Sequence, residues 1–170
     1  MKEVSPDIIV ECQNGNTCVF AEVVEHYSRP LFAFIYRMQF QVPVREPDDI
    51  VQEVFLKAYQ KIQTYQGKRH GSLSCWLFTI ARNHCISLTR RHKLEKQLQS
   101  TDEHRLVHSS DSQDMNPTEI LSQKEQCQRV ADAVAALPET MRTTFLLRHY
   151  HDMCYADIAK VIQCNEGTVR

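Results

Sequence analysis

Between Pro47 and Lys96, two stretches return apolar side chains every three or four positions, and the polar segment Gln66-Gly67-Lys68-Arg69-His70-Gly71-Ser72 separates them. At 3.6 residues per turn such positions share one face, so each stretch predicts an amphipathic helix. Val51, Val54, Phe55, Ala58 and Ile62 form the first stripe; Leu73, Trp76, Leu77, Ile80, Ala81, His84 and Leu88 form the second. Pro47 suits a first helical turn, where its missing N–H costs nothing. Ser72 or Ser74 can cap the second helix, and Trp76 reads as core. The first helix opens acidic, with Asp48, Asp49, Gln52 and Glu53 off the apolar stripe. That cluster is either a solvated face favoured by the helix dipole or a docking patch for a basic partner. The second helix ends basic. From Lys57 to Lys96 there are nine Lys or Arg and one acid, Glu95, whereas Met1 to Glu25 holds one Lys and five acids. The net charge of −1 conceals this asymmetry, which points to two kinds of partner, one of them polyanionic.

The rest of the chain is helical in pattern too. Thr17 to Met38 carries a stripe from Phe20 through Val23, Tyr27, Leu31 and Phe34 to Met38, with Pro30 expected to kink or split it. With only four glycines in 170 residues, an all-β fold lacks turn residues. The expected class is all-α, as two small helical domains: residues 1–98, a flexible linker at 99–116, and 117–170. The linker is read from its polar composition, in which Leu106, Val107 and Met115 are the clear apolar residues. Beyond it, Asn116-Pro117 starts a helix with Ile120, Leu121, Cys127, Val130, Ala131, Val134 and Leu137 as its stripe. Pro138 starts another with Met141, Phe145 and Leu146. Tyr155–Ile162, a turn at Gln163-Cys164-Asn165 and a new helix from Glu166 make a helix-turn-helix pattern.

Several classes are excluded. No apolar run approaches the roughly 20 residues of a membrane span, and the N-terminus lacks a signal-peptide core, so a cytoplasmic protein is expected. The seven cysteines include no Cys-x-x-Cys and read as free thiols. His149-Tyr150-His151-Asp152-Met153-Cys154 collects imidazole and thiol groups, but it spans an expected helix end and no second cluster accompanies it; no metal site is expected. No phosphate loop, nucleophile elbow or paired-ligand motif suggests an enzyme or a cofactor.

Asp48-Asp49-Ile50-Val51-Gln52-Glu53-Val54-Phe55, then Trp76-Leu77 with Ile80-Ala81-Arg82-Asn83, then Leu137-Pro138, Arg142, Phe145, Tyr155, Ile158-Ala159 and Glu166-Gly167-Thr168-Val169 occur in this order. Together they resemble bacterial alternative sigma factors of the extracytoplasmic-function class, group IV of the sigma-70 family. The resemblance implies a transcription initiation factor with no catalytic residues, no cofactor and no small-molecule substrate. Its partners would be the clamp of core RNA polymerase, promoter DNA and an anti-sigma factor, a membrane-anchored one being an option. It implies polymerase contact at Asp48, Asp49, Gln52 and Glu53. Contact with the minus-ten element falls to Lys68, Arg69, His70, Ser72, Arg82, Asn83, Arg90 and Arg91. Contact with the minus-thirty-five element falls to Glu166, Gly167, Thr168 and Arg170. Two departures stand out. Gln163 occupies a turn where the family usually has Gly. The family's recognition helix also runs well beyond Arg170, so a C-terminal truncation is expected, leaving a chain unable to read the minus-thirty-five element. The alternatives are a sigma mimic that binds an anti-sigma factor, or a helix-turn-helix regulator that acts without polymerase.

Overall fold

A computed structural model describes residues 3–39, 45–98 and 117–169, with side chains in the last stretch described from residue 126 onward. All regular structure among them is helical: α1 Pro6–Gln13, α2 Thr17–Met38, α3 Pro47–Lys61, a 3-10 turn at Ile62–Thr64, α4 Gly67–His70, α5 Leu73–Leu98, α6 Pro117–Ala136, α7 Glu139–His151, α8 Tyr155–Ile162 and α9 Glu166–Val169. The expected linker at 99–116 lies outside the described residues.

Helices α1, α2, α3 and α5 build the first half around one core. Tyr27, Leu31, Phe34 and Ile35 of α2, Ile50, Val54 and Ala58 of α3, and Leu77, Phe78 and Ala81 of α5 are fully buried. Phe34 meets Phe78 edge to face at 5.2 Å. The expected split at Pro30 does not occur: α2 runs unbroken from Thr17 to Met38. Tyr27 and Leu31 on either side of Pro30 are fully buried, and that packing outweighs the one ladder donor that proline gives up.

Helix α1 was not legible as a stripe; its one fully docked side chain is Cys12. It is held by polar contacts instead. Gln13 Nε2 donates to the carbonyls of Ile62 (3.2 Å) and Tyr65 (2.9 Å). Just before α1, Glu3 accepts from the Tyr27 hydroxyl at 2.9 Å and from the Ser74 hydroxyl. Glu3 thus ties the N-terminus to both α2 and α5. Ser72, not Ser74, caps α5: its carbonyl accepts the first helical bond from Trp76 at 3.2 Å, and its Oγ accepts from the Cys75 N–H at 3.4 Å.

The second half packs directly on the first, through α7 and α8 against α2 and α5. This explains why α5 buries two faces. Besides the expected stripe it buries Ser74, Cys75, Phe78 and Cys85. His151, at the end of α7, lies buried against Phe78 (4.7 Å between ring centres) and Phe34 (6.2 Å). Arg37 of α2 stacks on the Tyr150 ring at 4.1 Å. Thr143 donates to the Met38 sulfur at 3.8 Å, and Arg142 Nη1 donates to the Met38 carbonyl at 3.4 Å.

Two expected stripes in this half are only partly buried. Cys127, Val130 and Met141 are exposed, while Ala135, Leu146 and Leu147 carry the packing. The α8–α9 turn is left-handed although no glycine stands at its centre. Gln163 is left-handed (φ 63°, ψ 45°), and Cys164 N–H closes onto the Ala159 carbonyl at 3.0 Å, a Schellman-type ending.

Candidate nucleic-acid and polymerase interfaces

The polar segment expected as a loop contains a helical turn, α4. It is fixed by the Tyr65 hydroxyl, which donates to the Gly71 carbonyl at 2.7 Å, and by the Gln66 N–H, which donates to His70 Nδ1 at 3.0 Å. Gly71, at φ 77°, takes a conformation that a side chain would strain. Tyr65 lies between His70, stacked at 5.9 Å, and Trp76 at 5.3 Å. Trp76 is buried, so it supports α4 from within and offers no open stacking platform.

Between α3, α4 and α5 opens a cleft of about 660 Å³. Among the described residues its walls carry Arg45, Lys57, Lys61, His70, His84 and Arg91 against a single carboxylate, Glu53; Thr79, Asn83 and Ser87 supply neutral hydrogen-bonding groups and Gln163 reaches its rim. A concave surface of this charge focuses a potential that attracts a polyanion, and its neutral groups can meet base edges. Of the residues expected at the minus-ten element, His70, Asn83 and Arg91 line this cleft. Lys68 and Arg69 are exposed on α4 beside it.

The remaining three are placed otherwise. Arg90 lines a separate groove with Lys93, Leu137 and Arg142. Ser72 is spent on capping, 2.8 Å from the Ser74 hydroxyl. Arg82 does not project toward solvent: its side chain is 11% exposed and its guanidinium donates to both carboxylate oxygens of Glu139, at 2.7 and 2.9 Å. A bidentate pair of this kind is the strongest neutralising contact a surface arginine makes. Arg45, Lys57, Lys61 and His84 were missed. The positive charge of the Lys57–Lys96 block was visible in the sequence, but not that α3 and α5 face each other across a cleft.

The acidic start of α3 also differs from expectation. The cluster is not uncompensated, because Arg45 reaches Asp49 at 3.9 Å and pairs with Glu53, and His84 Nε2 donates to Glu53 at 2.7 Å. Burial opposes the charge on Glu53, but the hydrogen bonds from Arg45 and His84 outweigh it and hold the carboxyl below its usual pKa. Asp48, Asp49 and Gln52 remain exposed. Asp48 and Gln52 border an apolar groove between α2 and α3 formed by Val24, Phe32, Val51 and Phe55, with Arg29 on its rim. Phe32, 37% exposed, stacks on Tyr36 beside it. In the second half, Glu166, Gly167 and Thr168 form α9 on the surface side of the turn, while Val169 is buried; Arg170 lies outside the described residues. Asp152 ends α7 in the left-handed region, which turns His151 inward and leaves Cys154 outside, so the histidine-rich segment does not converge.

Two family matches decide what these surfaces belong to. Residues 23–95 match Sigma-70 region 2, and residues 127–170 match Sigma-70 region 4. The chain is an alternative sigma factor of the extracytoplasmic-function class. It is similar to the RNA polymerase sigma-H factor of Pseudomonas aeruginosa, 28% identical over 99% of this chain and 88% of that one. It is also similar to the sigma-E factor of Escherichia coli K12 (26%, over 99% and 88%) and to SigW of Bacillus subtilis (25%, over 95% and 87%). Among solved structures, CnrH in complex with the cytosolic domain of CnrY superposes with a TM-score of 0.65 at 20% identity, covering 95% of this chain and 84% of that one. The region 2 match spans the cleft and the apolar groove. The region 4 match takes in α7, α8 and α9. No helix among the described residues is long and apolar enough to cross a membrane.

Proposed function

We propose that this sigma factor docks on core RNA polymerase through the start of α3 and holds the displaced strand of the minus-ten element in the cleft between α3, α4 and α5. The observation that carries the reading is the cleft itself, six cationic or imidazole side chains around one neutralised carboxylate in the region 2 half of a sigma factor. Its cations supply a salt-sensitive hold on phosphates. Asn83 and the α4 segment supply preference among bases, since an amide offers a donor and an acceptor together and can pair with a base edge. Trapping an unstacked base offsets a few kcal/mol of unstacking and so favours the open duplex.

For polymerase, the supported surface is Asp48 and Gln52 with the Phe32–Val51–Phe55 groove, a polar rim carrying both Asp48 and Arg29 around an apolar floor that suits an amphipathic helix. Asp49 and Glu53 contribute once Arg45 turns away. Helices α8 and α9, with Glu166, Gly167 and Thr168 at the start of the second, have the order of a helix-turn-helix, which supports assigning this half to the minus-thirty-five element, with a recognition helix too short in this chain to read it. The setting is the cytoplasm. An anti-sigma factor is the expected inhibitor, in keeping with the complex formed by the structural neighbour CnrH. The proposed domains are residues 1–98 and 117–170; the matches to region 2 at 23–95 and region 4 at 127–170 fall within them.

The test is reconstitution. Core polymerase plus this chain should retain a duplex with a permanently unpaired minus-ten segment, and core alone should not. Core binding without any gain on the unpaired DNA would leave the docking half of the proposal and remove the cleft half.

A further inference from the structure

Four side chains form one continuous polar chain from the acidic start of α3 to the wall of the cleft. Arg45 pairs with Glu53, Glu53 accepts from His84 Nε2 at 2.7 Å, and His84 Nδ1 lies 2.5 Å from Lys57 Nζ. The chemistry of the two ends fixes the ring between them. A lysine ammonium has three donors and no acceptor, so Nδ1 must be the bare, accepting nitrogen. The ring proton then sits on Nε2, where Glu53 takes it. His84 is therefore the neutral Nε2–H tautomer, and its side chain is only 9% exposed. Burial and the Lys57 charge both push its pKa down, against Glu53, which pushes it up. Arg45 matters here as well: it occupies the other Glu53 oxygen, so both oxygens are engaged and Lys57 is left to His84.

We infer that His84 is a positioning residue for strand binding, holding the Lys57 ammonium at the cleft wall, where it meets a phosphate of the single strand. The inference rests on the reading of the cleft as the strand-binding site. A lysine side chain has four rotatable bonds, and ordering them on binding weakens the gain from the contact. Ordering by a neutral imidazole removes that cost beforehand, and, unlike a carboxylate partner, leaves the positive charge available. Lys61, His70 and Arg91 line the same cleft, so Lys57 adds to an existing cationic track.

The experiment uses holoenzyme and a labelled single-stranded DNA oligonucleotide of mixed sequence, titrated at several salt concentrations, with core polymerase alone as reference. Lys57→Ala should weaken binding several-fold and reduce the salt slope by about 0.7, the share of one single-strand phosphate. His84→Ala should weaken binding in the same direction and add nothing to Lys57→Ala in the double variant. His84→Gln, whose amide can accept from Lys57 and donate to Glu53, should recover most of the loss. An unchanged slope in Lys57→Ala, additive losses in the double variant, or His84→Gln no better than His84→Ala would each overturn the inference. If His84→Ala melts early, the comparison of Lys57→Ala with His84→Gln still decides it. Wild-type holoenzyme that binds no better than core alone would instead overturn the cleft reading beneath it.

Discussion

The Arg82 guanidinium and the Glu139 carboxylate, 57 positions apart, meet through two hydrogen bonds of 2.7 and 2.9 Å and pin the first turn of α7 to the middle of α5. Glu139 also accepts from Thr143 at 3.0 Å, which orients it. Arg82 directly precedes Asn83 on the helix proposed to face DNA, so the fork takes one arginine of that helix out of reach of phosphates. Opening the two halves would return it.

Glu139→Gln should therefore loosen the packing between the halves. Glu139 is 37% exposed, so solvent screens the pair, and the expected loss is about 1 kcal/mol. The measurement is small-angle scattering with limited proteolysis. The variant should have a larger radius of gyration and faster cleavage between the halves. An unchanged radius and cleavage rate would show that the apolar contacts around His151 and Met38 hold the halves without the fork.

His151 makes the same interface sensitive to acid. Burial is the main cause, with Arg37 adding to it, and together they push its pKa down to about 4. Its Nε2 has no hydrogen-bond partner among the described residues, so charging it in place would be unfavourable. The unfolded or separated histidine titrates near 6.5. The stabilisation is thus fully present above about pH 6.5 and is lost as pH falls toward 4, at up to about 1.4 kcal/mol per unit. Melting of the wild type should lose ground across that window relative to His151→Leu, which has no proton to gain. Parallel pH profiles for the two proteins would remove His151 as the cause.

The ion pairs at α3 separate two acidic residues that look alike in sequence. Glu53→Lys places a cation beside Arg45 and removes the acceptor of a buried histidine, and should cost about 1–3 kcal/mol of stability. Asp48→Lys touches neither partner and should leave melting unchanged while weakening retention of core polymerase. The two readouts are thermal melting and a pull-down with core. Asp48→Lys binding core as the wild type does would move the docking surface away from this end of α3.

Those pairs also mark where the sequence stopped being informative. The helices were legible because burial repeats every three or four residues; Val51, Val54, Phe55, Ala58 and Ile62 are all buried. The polar chemistry was not, because it depends on contacts distant in sequence. Arg82 reads as a DNA contact until Glu139 is placed opposite it. Glu53 reads as open until Arg45 and His84 close on it. Glu3, which anchors Tyr27 and Ser74, sits in a segment with no periodicity at all. The second buried face of α5 was hidden for a related reason: Cys75, Phe78 and Cys85 face another part of the chain, so the single-stripe pattern does not register them.

Asn83 and Arg91 lie in one cleft and should fail differently. Arg91→Ala removes a charge and should weaken single-strand binding for every sequence, lowering the salt slope by about 0.7. Asn83→Ala removes a directional donor and acceptor and should change the ranking among sequences with little change in slope. An oligonucleotide panel measured at two salt concentrations separates the two. Equal shifts across the panel for both variants would remove the division between holding and reading.

The turn between α8 and α9 offers a test of strain. Gln163 sits at φ 63° with its N–H closing on the Lys160 carbonyl at 3.3 Å, in a region that costs an L-residue about 1 kcal/mol. The turn is kept because the flanking residues over-determine it: Ile158, Val161 and Ile162 before it and Val169 after it are all buried. Gln163→Gly would relieve the strain, offset in part by the greater freedom of glycine in the unfolded chain. The net expectation is a gain of about 0.5 kcal/mol. Gln163→Ala is the control, since it removes the same side chain from the cleft rim but keeps the Cβ and therefore the strain. Glycine should melt above wild type and alanine should not. If both variants melt together, the stability change comes from the lost side chain, and the left-handed turn costs this protein nothing measurable.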